Sequence, residues 1–272
     1  MVALETSIVG QGLPPPHNLR AARGCEAAIR EAGGVPATVA VLDGRLKVGL
    51  SDGELRSLAS GGAVKVSSRD LGPAIAGRSV GATTVAASVR AAALAGIRFF
   101  ATGGIGGVHR GHPEDESADL EEMARSPVAV FCAGAKIILD LRLTLERLES
   151  LAVPVLGFAT DEFPAFYTSH SGCPVSARVE DAAETARVLR AAWSVAAHGV
   201  VIAIPPPYDL EGAEEMARRA AADLGDVSGG AVTPRLLARM AELSGGRSLD
   251  LNVELVINNA RVAAQVATEF FA

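Results

Sequence analysis

Short apolar runs rich in β-branched residues alternate along the chain with segments whose apolar positions repeat about every 3.6 residues. Such runs predict buried strands, and the periodic segments between them predict helices that pack on a sheet. The strand runs are ATVAVL from Ala37, AVKVS from Ala63, GIRFFATGG from Gly96, PVAVFCAG from Pro127, VPVLGF from Val153 and GVVIAIP from Gly199. The pattern therefore predicts a layered α/β fold.

Local signals refine this prediction. Asp43-Gly44 stands between VAVL and RLKVGL and is a two-residue hairpin signal, so at least one antiparallel pair joins an otherwise mostly parallel sheet. The stretch from Ser248 predicts a long amphipathic final helix, and GDVSGG from Gly225 predicts a loop. Because no repeat or linker interrupts the chain, we predict a single domain over residues 1–272 with a mixed, mostly parallel central sheet.

The composition excludes several classes of protein. At 272 residues and 49% hydrophobic, the chain is long enough to bury one large core. A net charge of -6 and scattered basic residues argue against a nucleic-acid binder. The sequence contains no uninterrupted stretch of about 18 or more apolar residues, so we predict no membrane span. No signal peptide is apparent. The three cysteines lack metal-ligand spacing, which favours a reducing compartment, so we expect a cytoplasmic protein.

Polar residues that follow strands are the candidates for chemistry, because α/β folds bind ligands beyond the carboxyl ends of their strands. Glu5 follows the first apolar run and precedes a stiff loop with three consecutive prolines; it is either a surface residue or an acid aimed into a site. Lys65 lies in AVKVS, where a lysine at the sheet edge is an equally good interpretation. GATTVAAS from Gly81 opens a helix that could hold a phosphate, although an ordinary N-cap at Thr83 explains it equally well.

The stretch ATGGIGGVHRGHPEDESADL is more specific. Four glycines follow a strand and let the backbone approach a ligand closely. The residues that follow directly are His109, Arg110, Asp115, Ser117 and Asp119. Two other interpretations are a surface histidine and an acidic first turn of the next helix, which would be stabilising. We favour a functional role for this segment.

Lys136 is the sharpest single candidate. It follows the buried strand PVAVFCAG, and the pattern of KIILDLRLTLERLES predicts a helix that starts with this lysine. A helix start and the neighbouring Ile137 and Ile138 would both lower the pKa of the amine, which a nucleophile at neutral pH needs. A first-turn lysine turned toward solvent is the alternative.

Asn258 and Asn259 interrupt the apolar pattern of the final helix in VINNARVAAQVA. Paired amides at such positions are costly unless they form hydrogen bonds. Contacts with a neighbouring loop would be sufficient.

Long stretches across the chain carry a family resemblance. In order, they are ALETSIVGQGLPPPHNL, GGVPATVAVLDGRLKVGL, KVSSRDL, GATTVAAS, GIRFFATGGIGGVHRG, ESADLEEMARSPVAVFCAGAKIILD, FATDEFPAFYTSHSG, AVTPRLLARMAELSGGRSL and NNARVAA. Together they resemble the pseudouridine-5'-phosphate glycosidase family over nearly the whole chain. The resemblance implies an α/β/α layered fold, a homotrimer and a divalent metal, typically manganese (Mn2+).

The resemblance also implies roles for individual residues. Glu5 matches the proton donor, Lys136 the nucleophilic lysine and Asp115 the metal site. Residues that match or adjoin substrate-binding positions are Lys65, Thr84, Val85, Thr102, His109, Ser117, Ala118, Asp119 and Asn259.

The implied reaction joins or separates ribose 5-phosphate and a planar base at a carbon-carbon bond. A carbon leaving group has no lone pair to protonate, so the two-carboxylate route of ordinary glycosidases does not apply. The family's route opens the ribose ring and forms a Schiff base between lysine and the sugar. With uracil as the base, the substrate is pseudouridine 5'-phosphate.

The opening motif departs from the family pattern. Gln11 stands where a histidine is usual, and Pro15 stands where an aromatic residue is usual. These changes leave the lysine untouched but affect base recognition. We therefore keep a C-glycosynthase that attaches ribose 5-phosphate to an aromatic natural product as an alternative. A non-catalytic sugar-phosphate sensor is a second alternative.

Overall fold

The computed structural model of the chain describes residues 1–224 and 232–272, so the loop predicted at 225–230 lies outside the described residues. The described strands are β1 (Val2–Leu4), β2 (Pro36–Leu42), β3 (Arg45–Val48), β4 (Val64–Val66), β5 (Gly81–Thr83), β6 (Phe99–Ala101), β7 (Val108–His109), β8 (His112–Glu116), β9 (Ala129–Cys132), β10 (Leu139–Asp140), β11 (Val155–Phe158), β12 (Ala177–Val179) and β13 (Val200–Ala203). All six strand runs predicted from the sequence form strands.

Helices occupy most of the connections between strands. They are α1 (His17–Glu31), α2 (Asp52–Ala59), α3 (Leu71–Ala76), α4 (Val85–Leu94), α5 (Ala118–Arg125), α6 (Leu141–Ser150), α7 (Ala182–Val195), α8 (Ala213–Leu224), α9 (Val232–Leu243) and α10 (Arg247–Phe271). A short π-helix covers Ile8–Gly12, and a 3-10 turn covers Ser68–Asp70. The long final helix is confirmed as α10. No helix among the described residues is long and apolar enough to span a membrane.

Ten strands form one mixed sheet in the order β12-β11-β13-β9-β6-β1-β2-β5-β4, with β3 also paired to β2. The strands from β12 to β2 are parallel to one another, whereas β3 and β5 run antiparallel to β2. The hairpin predicted at Asp43-Gly44 joins β2 to β3. A second, small antiparallel sheet consists of β10, β7 and β8. The predicted mixed, mostly parallel sheet is thus confirmed.

The ends of β1 and β5 meet over the middle of β2. Strand β1 pairs with the first half of β2, and β5 pairs with the second half in the opposite direction. The hydroxyl groups of Thr6 and Thr83 both donate to the carbonyl oxygen of Val39, each at 2.7 Å. Because β1 and β5 run in opposite directions along β2, their carboxyl ends meet. The residues that follow the two strands are therefore brought together.

Both faces of the large sheet are covered by helices. Phe99 and Phe131 belong to an apolar cluster that includes residues of α1, α7 and α10. Phe100 and Val130, one residue away along the same strands, belong to a cluster that includes residues of α4, α5 and α6. Because successive side chains of a strand point to opposite faces, the two clusters define two helical layers. The α/β/α layered fold is confirmed.

The helix predicted to start at Lys136 starts later. Helix α6 begins at Leu141, and Asp140 is its N-cap. The preceding residues form a turn and β10, in which Leu139 pairs with His109 of β7. Pairing with a strand distant in sequence overrides the local helical pattern. The helix-dipole argument for Lys136 was therefore wrong.

The N-cap predicted at Thr83 lies one residue further along. Thr84 caps α4, and its side chain accepts a hydrogen bond from the backbone N–H of Ala87. The hydroxyl of Thr83 instead donates a hydrogen bond to the backbone carbonyl oxygen of Val39, inside the sheet. The prediction that GATTVAAS opens a helix is confirmed, with the cap shifted by one position.

Candidate active site

A cavity of about 530 Å³ opens where β1, β5, β6 and β9 end. Residues predicted for the site that line this cavity are Glu5, Lys65, Thr84, Val85, Thr102, His109, Asp115, Ser117, Ala118, Asp119 and Lys136. A larger cavity of about 660 Å³ lies elsewhere, beside α6, and none of the predicted residues lines it. The chemistry-bearing side chains converge on the smaller cavity, which is therefore the candidate active site.

Arg110 and Asn258 do not line the cavity, and neither does Asn259. It is buried in α10, and its side-chain amide donates to the carbonyl oxygens of Thr102 at 2.9 Å and Gly103 at 3.4 Å. The expectation that this amide needs a loop partner is confirmed. Asn259 thus supports the end of β6 from behind the cavity wall.

Glu5 follows β1 and is held by two hydroxyl groups. Ser7 donates a hydrogen bond to one carboxylate oxygen and Thr102 to the other. Burial raises the pKa of the Glu5 carboxyl group, while the charge of Lys136 and the two hydrogen bonds oppose that rise and Asp119 adds to it. A carboxyl group with a raised pKa can carry a proton at higher pH, as a general acid must.

Lys136 lies on the loop between β9 and β10. Its backbone N–H donates to the carbonyl of Ile105 at 3.1 Å, and its own carbonyl accepts from Leu139 at 2.9 Å. Within the part of the chain that the structure describes, the amine of Lys136 forms no ion pair within 4 Å. A fixed backbone and an amine that forms no direct ion pair among the described residues suit a nucleophile.

One end of the cavity is cationic. Lys65 on β4 and Arg69 in the 3-10 turn lie there, next to the start of α4 at Val85, and Asp70, which also lines the cavity, pairs with Arg69 at 3.5 Å. Partial removal from water lowers the pKa of Lys65, and the charge of Lys136 lowers it further. Lys65, Arg69 and a helix N-terminus at one end of the cavity are suited to hold a phosphate group.

Asp119 connects two walls of the cavity. Its carboxylate accepts from the N–H of Ala86 at 2.9 Å and from the N–H of Gly106 at 2.8 Å, and the residue is buried. A Cβ at Gly106 would lie 2.2 Å from the hydroxyl oxygen of Ser117, so this position requires glycine. Ser117 is the N-cap of α5. These two residues of the ESADL segment therefore fix the glycine loop against the start of α4.

His109 and Asp115 face each other across the hairpin of β7 and β8. Nδ1 of His109 lies 2.9 Å from the backbone carbonyl of Asp115 and 3.3 Å from its carboxylate. Asp115 is half exposed, and the carboxylate of the neighbouring Glu116 forms an ion pair with Arg147. No group of three or more metal-ligating side chains occurs in residues 1–224 and 232–272. This donor set fits a hard cation held through one carboxylate with water in its remaining positions.

The structure adds the cavity residues Ser7 and Asn252, and Phe166 from the stretch FATDEFPAFYTSHSG also lines the cavity. Phe166 has a positive φ of 66° and is held by a hydrogen bond from its N–H to the carbonyl of Ala133 at 3.0 Å. A Cβ at Gly134 would lie 1.8 Å from a neighbouring carbonyl oxygen, so only glycine allows this loop to approach the segment before Lys136. No local signal in the sequence marks Asn252.

Comparisons with known proteins agree with this architecture. A family model described as "Indigoidine synthase A like protein" matches residues 1–269. The chain is 50% identical to a pseudouridine-5'-phosphate glycosidase of Myxococcus xanthus, over 99% of this chain and 93% of the relative. It is 53% identical to that of Deinococcus radiodurans, over 99% and 90%.

Solved structures have the same fold. The prealnumycin C-glycosynthase AlnA in complex with ribulose 5-phosphate is 38% identical with a TM-score of 0.89, over 99% of this chain and 91% of that one. An indigoidine synthase A-like protein of Thermotoga maritima is 33% identical with a TM-score of 0.92, over 98% and 91%. The chain belongs to the pseudouridine-5'-phosphate glycosidase family. The resemblance inferred from the sequence is thereby confirmed.

Proposed function

We propose that this chain is an enzyme that reversibly converts pseudouridine 5'-phosphate and water to uracil and ribose 5-phosphate. The observation that carries this proposal is the pairing of Glu5 with Lys136 in one cavity, beside the cationic end formed by Lys65 and Arg69. Relatives that are about half identical to this chain over nearly its whole length are also named for this activity. A sensor would need neither the acid nor the amine.

The cavity offers each part of the substrate a suitable environment. Lys65, Arg69 and the start of α4 would hold the phosphate, because they supply positive charge and backbone N–H donors. Phe166 and Leu237 supply apolar surface for a planar base. The reacting carbon would then lie between these two groups of residues, within reach of Lys136 and Glu5.

The residues present support a balanced sequence of steps. Nζ of Lys136 forms a bond to C1 of the sugar as the bond from C1 to the ring oxygen breaks, and Glu5 gives that oxygen a proton. The attached nitrogen returns a proton to the Glu5 carboxylate, and its lone pair then forms the iminium as the base leaves with the electrons of the carbon-carbon bond and takes up that proton. Water hydrolyses the iminium, which releases ribose 5-phosphate and restores the amine.

Two further features belong to this proposal. Asp115 would hold a hydrated divalent cation, for which manganese is our expectation, and such a cation would offset the negative charge of the phosphorylated sugar. We also propose that three copies of the chain assemble, as the family resemblance implies.

The second candidate function is attachment of ribose 5-phosphate to an aromatic acceptor. It is favoured by the likeness to the C-glycosynthase AlnA and by Gln11, a cavity residue that departs from the family's usual histidine. Both candidates share the sugar chemistry and differ in the group joined to C1.

Capture of the sugar on the enzyme tests the chemistry. Borohydride added with ribose 5-phosphate should reduce an imine and label Lys136, as read by peptide mass analysis. The matched variant Lys65→Gln should still be labelled at Lys136, because Lys65 serves the phosphate. Labelling at another lysine, or no labelling at saturating sugar phosphate, would exclude the mechanism.

A steady-state assay separates the two candidates. Release of uracil from pseudouridine 5'-phosphate supports the glycosidase. Capture of the sugar at Lys136 without release of uracil would instead assign the chain to C-ribosylation of a larger aromatic acceptor.

A further inference from the structure

Three buried hydroxyl groups form a cluster where β1 and β5 meet over β2. They belong to Thr6, Thr83 and Ser88, which are fully buried and do not line the cavity. Thr6 directly follows Glu5, and Thr83 directly precedes Thr84, the N-cap of α4. The cluster therefore joins the segment that carries the proposed general acid to the segment that begins the proposed phosphate site.

Two of these hydroxyl groups bridge a gap between strands. The pairing register places Val39 between the last pair of β1, at Thr38, and the last pair of β5, at Ala40. The carbonyl oxygen of Val39 accepts hydrogen bonds from the hydroxyl groups of Thr6 and Thr83, each at 2.7 Å. Side-chain donors thus take the place of the backbone N–H groups that a continuous neighbouring strand would supply.

The other hydrogen bonds of the cluster follow from the number of protons. Each threonine hydroxyl has one proton, which it gives to Val39, so its remaining contacts must be accepted. The Thr6 hydroxyl accepts from the backbone N–H of Thr83 at 2.9 Å, and the Thr83 hydroxyl accepts from Ser88 at 2.9 Å. The backbone N–H of Thr6 donates to the carbonyl of Thr83 at 3.2 Å. A buried network in which each hydroxyl group both donates and accepts fixes the segments that it joins.

The proposed reaction needs two fixed points on the enzyme. The start of α4 holds the phosphate, and Glu5 gives a proton to the ring oxygen of the same substrate. Ser7 and Thr102 orient the carboxylate of Glu5, whereas Thr6 fixes the segment that carries it to β2. Because a misplacement of about 1 Å can slow an enzyme by about 10²-fold, the distance between the two points affects the rate.

We propose that Thr6 and Thr83 are positioning residues that set the distance between Glu5 and the start of α4. Binding of the phosphate at α4 then places the ring oxygen of the sugar at the acid. This inference rests on the proposed function and adds to it two residues that act through Glu5 without touching the substrate.

Substitutions that keep the shape of the side chain test the proposal. Thr6→Val and Thr83→Val should each lower kcat for pseudouridine 5'-phosphate by about tenfold, whereas KM should change little because the cationic end is intact. Thr6→Ser keeps the hydroxyl group and should keep most of kcat. Thr185→Val is the matched control, since it removes a buried hydroxyl group that donates to the carbonyl of Asp181 at 2.7 Å on α7. The control should leave kcat and KM unchanged.

A double-mutant cycle separates positioning of Glu5 from a merely structural effect. Thr6→Val is combined with Glu5→Gln, and single-turnover rates are measured with enzyme in excess, so that slow variants can be compared. If Thr6 acts through Glu5, adding Thr6→Val to Glu5→Gln should lower the rate by about twofold at most, because contacting sites are not additive. A merely structural effect would give the same tenfold loss in both backgrounds.

The outcomes are distinct. Wild-type kcat in both valine variants overturns the inference, as does an equal loss in the two backgrounds or a Thr6→Ser variant as slow as Thr6→Val. Failure of wild type to cleave pseudouridine 5'-phosphate would instead remove the proposed function. Thermal melts show which variants are folded. Ser88→Ala, which removes only a donor to Thr83 and favours the helix, provides a further variant for the same cycle.

Discussion

At the scale of single residues, burial of the Glu5 carboxyl group suits the proposed general acid but destabilises the folded chain when the group is charged. Burial raises the pKa of its carboxyl group above the ordinary value of 4.5. The folded chain therefore binds this proton more tightly than the unfolded chain, and the free energy of unfolding falls as pH rises from 4.5 through the raised pKa. Above that pKa, the folded protein holds a buried negative charge.

Glu5→Gln should therefore lose activity and gain stability. We expect kcat to fall by about 10²–10⁴-fold, since a general acid is removed. The melting temperature should exceed that of wild type above the Glu5 pKa, and this difference should shrink as pH falls toward 4.5. Glu31→Gln, a change at an exposed position on α1, serves as the control and should alter neither. A variant less stable than wild type at every pH would contradict the expectation.

Asp115 supplies the residue-scale prediction about metal. Chelation should lower turnover, and manganese should restore it in wild type. Asp115→Asn should need more manganese for half-maximal activity, because the proposed charged ligand would be lost. Glu114→Gln, an exposed change in the same hairpin, should respond as wild type does. Full activity in thoroughly metal-free protein would show that no metal takes part.

At the scale of elements, α5 organises three segments around the cavity. Asp119 fixes the glycine loop and the start of α4, and Glu122, one turn later, fixes the 3-10 turn. Glu122 is 4% exposed and accepts from the hydroxyls of Ser68 and Ser126 and from Arg90, each at 2.9 Å. Because the neighbours of Ser68 line the cavity, this buried carboxylate positions the cationic end.

Ser68→Ala tests this role of α5. The variant loses one hydrogen bond to a charged group, worth about 1.5–3 kcal/mol, and frees the turn that carries Arg69. We expect KM for the phosphorylated substrate to rise by roughly 3–10-fold, as the loss of a fraction of that energy would give, while kcat changes little. Ser126→Ala removes the other hydroxyl partner of Glu122 without touching the turn and should leave KM unchanged. Equal KM values in the two variants would contradict the positioning role.

At the scale of the whole molecule, the number of chains in the assembly can be measured directly. We expect light scattering after size-exclusion chromatography to give three times the chain mass of 27.8 kDa, because the family resemblance implies a homotrimer. The mass should stay constant on moderate dilution. A mass equal to one chain would contradict the proposed trimer.

The sequence by itself determined the elements whose signals are local. Alternating β-branched runs define the strands, Asp43-Gly44 defines the hairpin, and the 3.6-residue pattern defines α10. The residue types of the site and their order along the chain were also sufficient for the family resemblance. These features depend on side-chain periodicity and turn chemistry over a few residues, which a sequence displays directly.

Only the tertiary structure decided how these pieces meet. Pairing of Leu139 with His109 turned the expected first helical turn at Lys136 into a loop, and the reversed direction of β5 brought Thr84 to the cavity that Glu5 lines. Asn259 lies behind the cavity wall, while Asn252, with no local signal, lines the cavity. Such placements depend on contacts between residues far apart in the chain, so local propensity does not encode them.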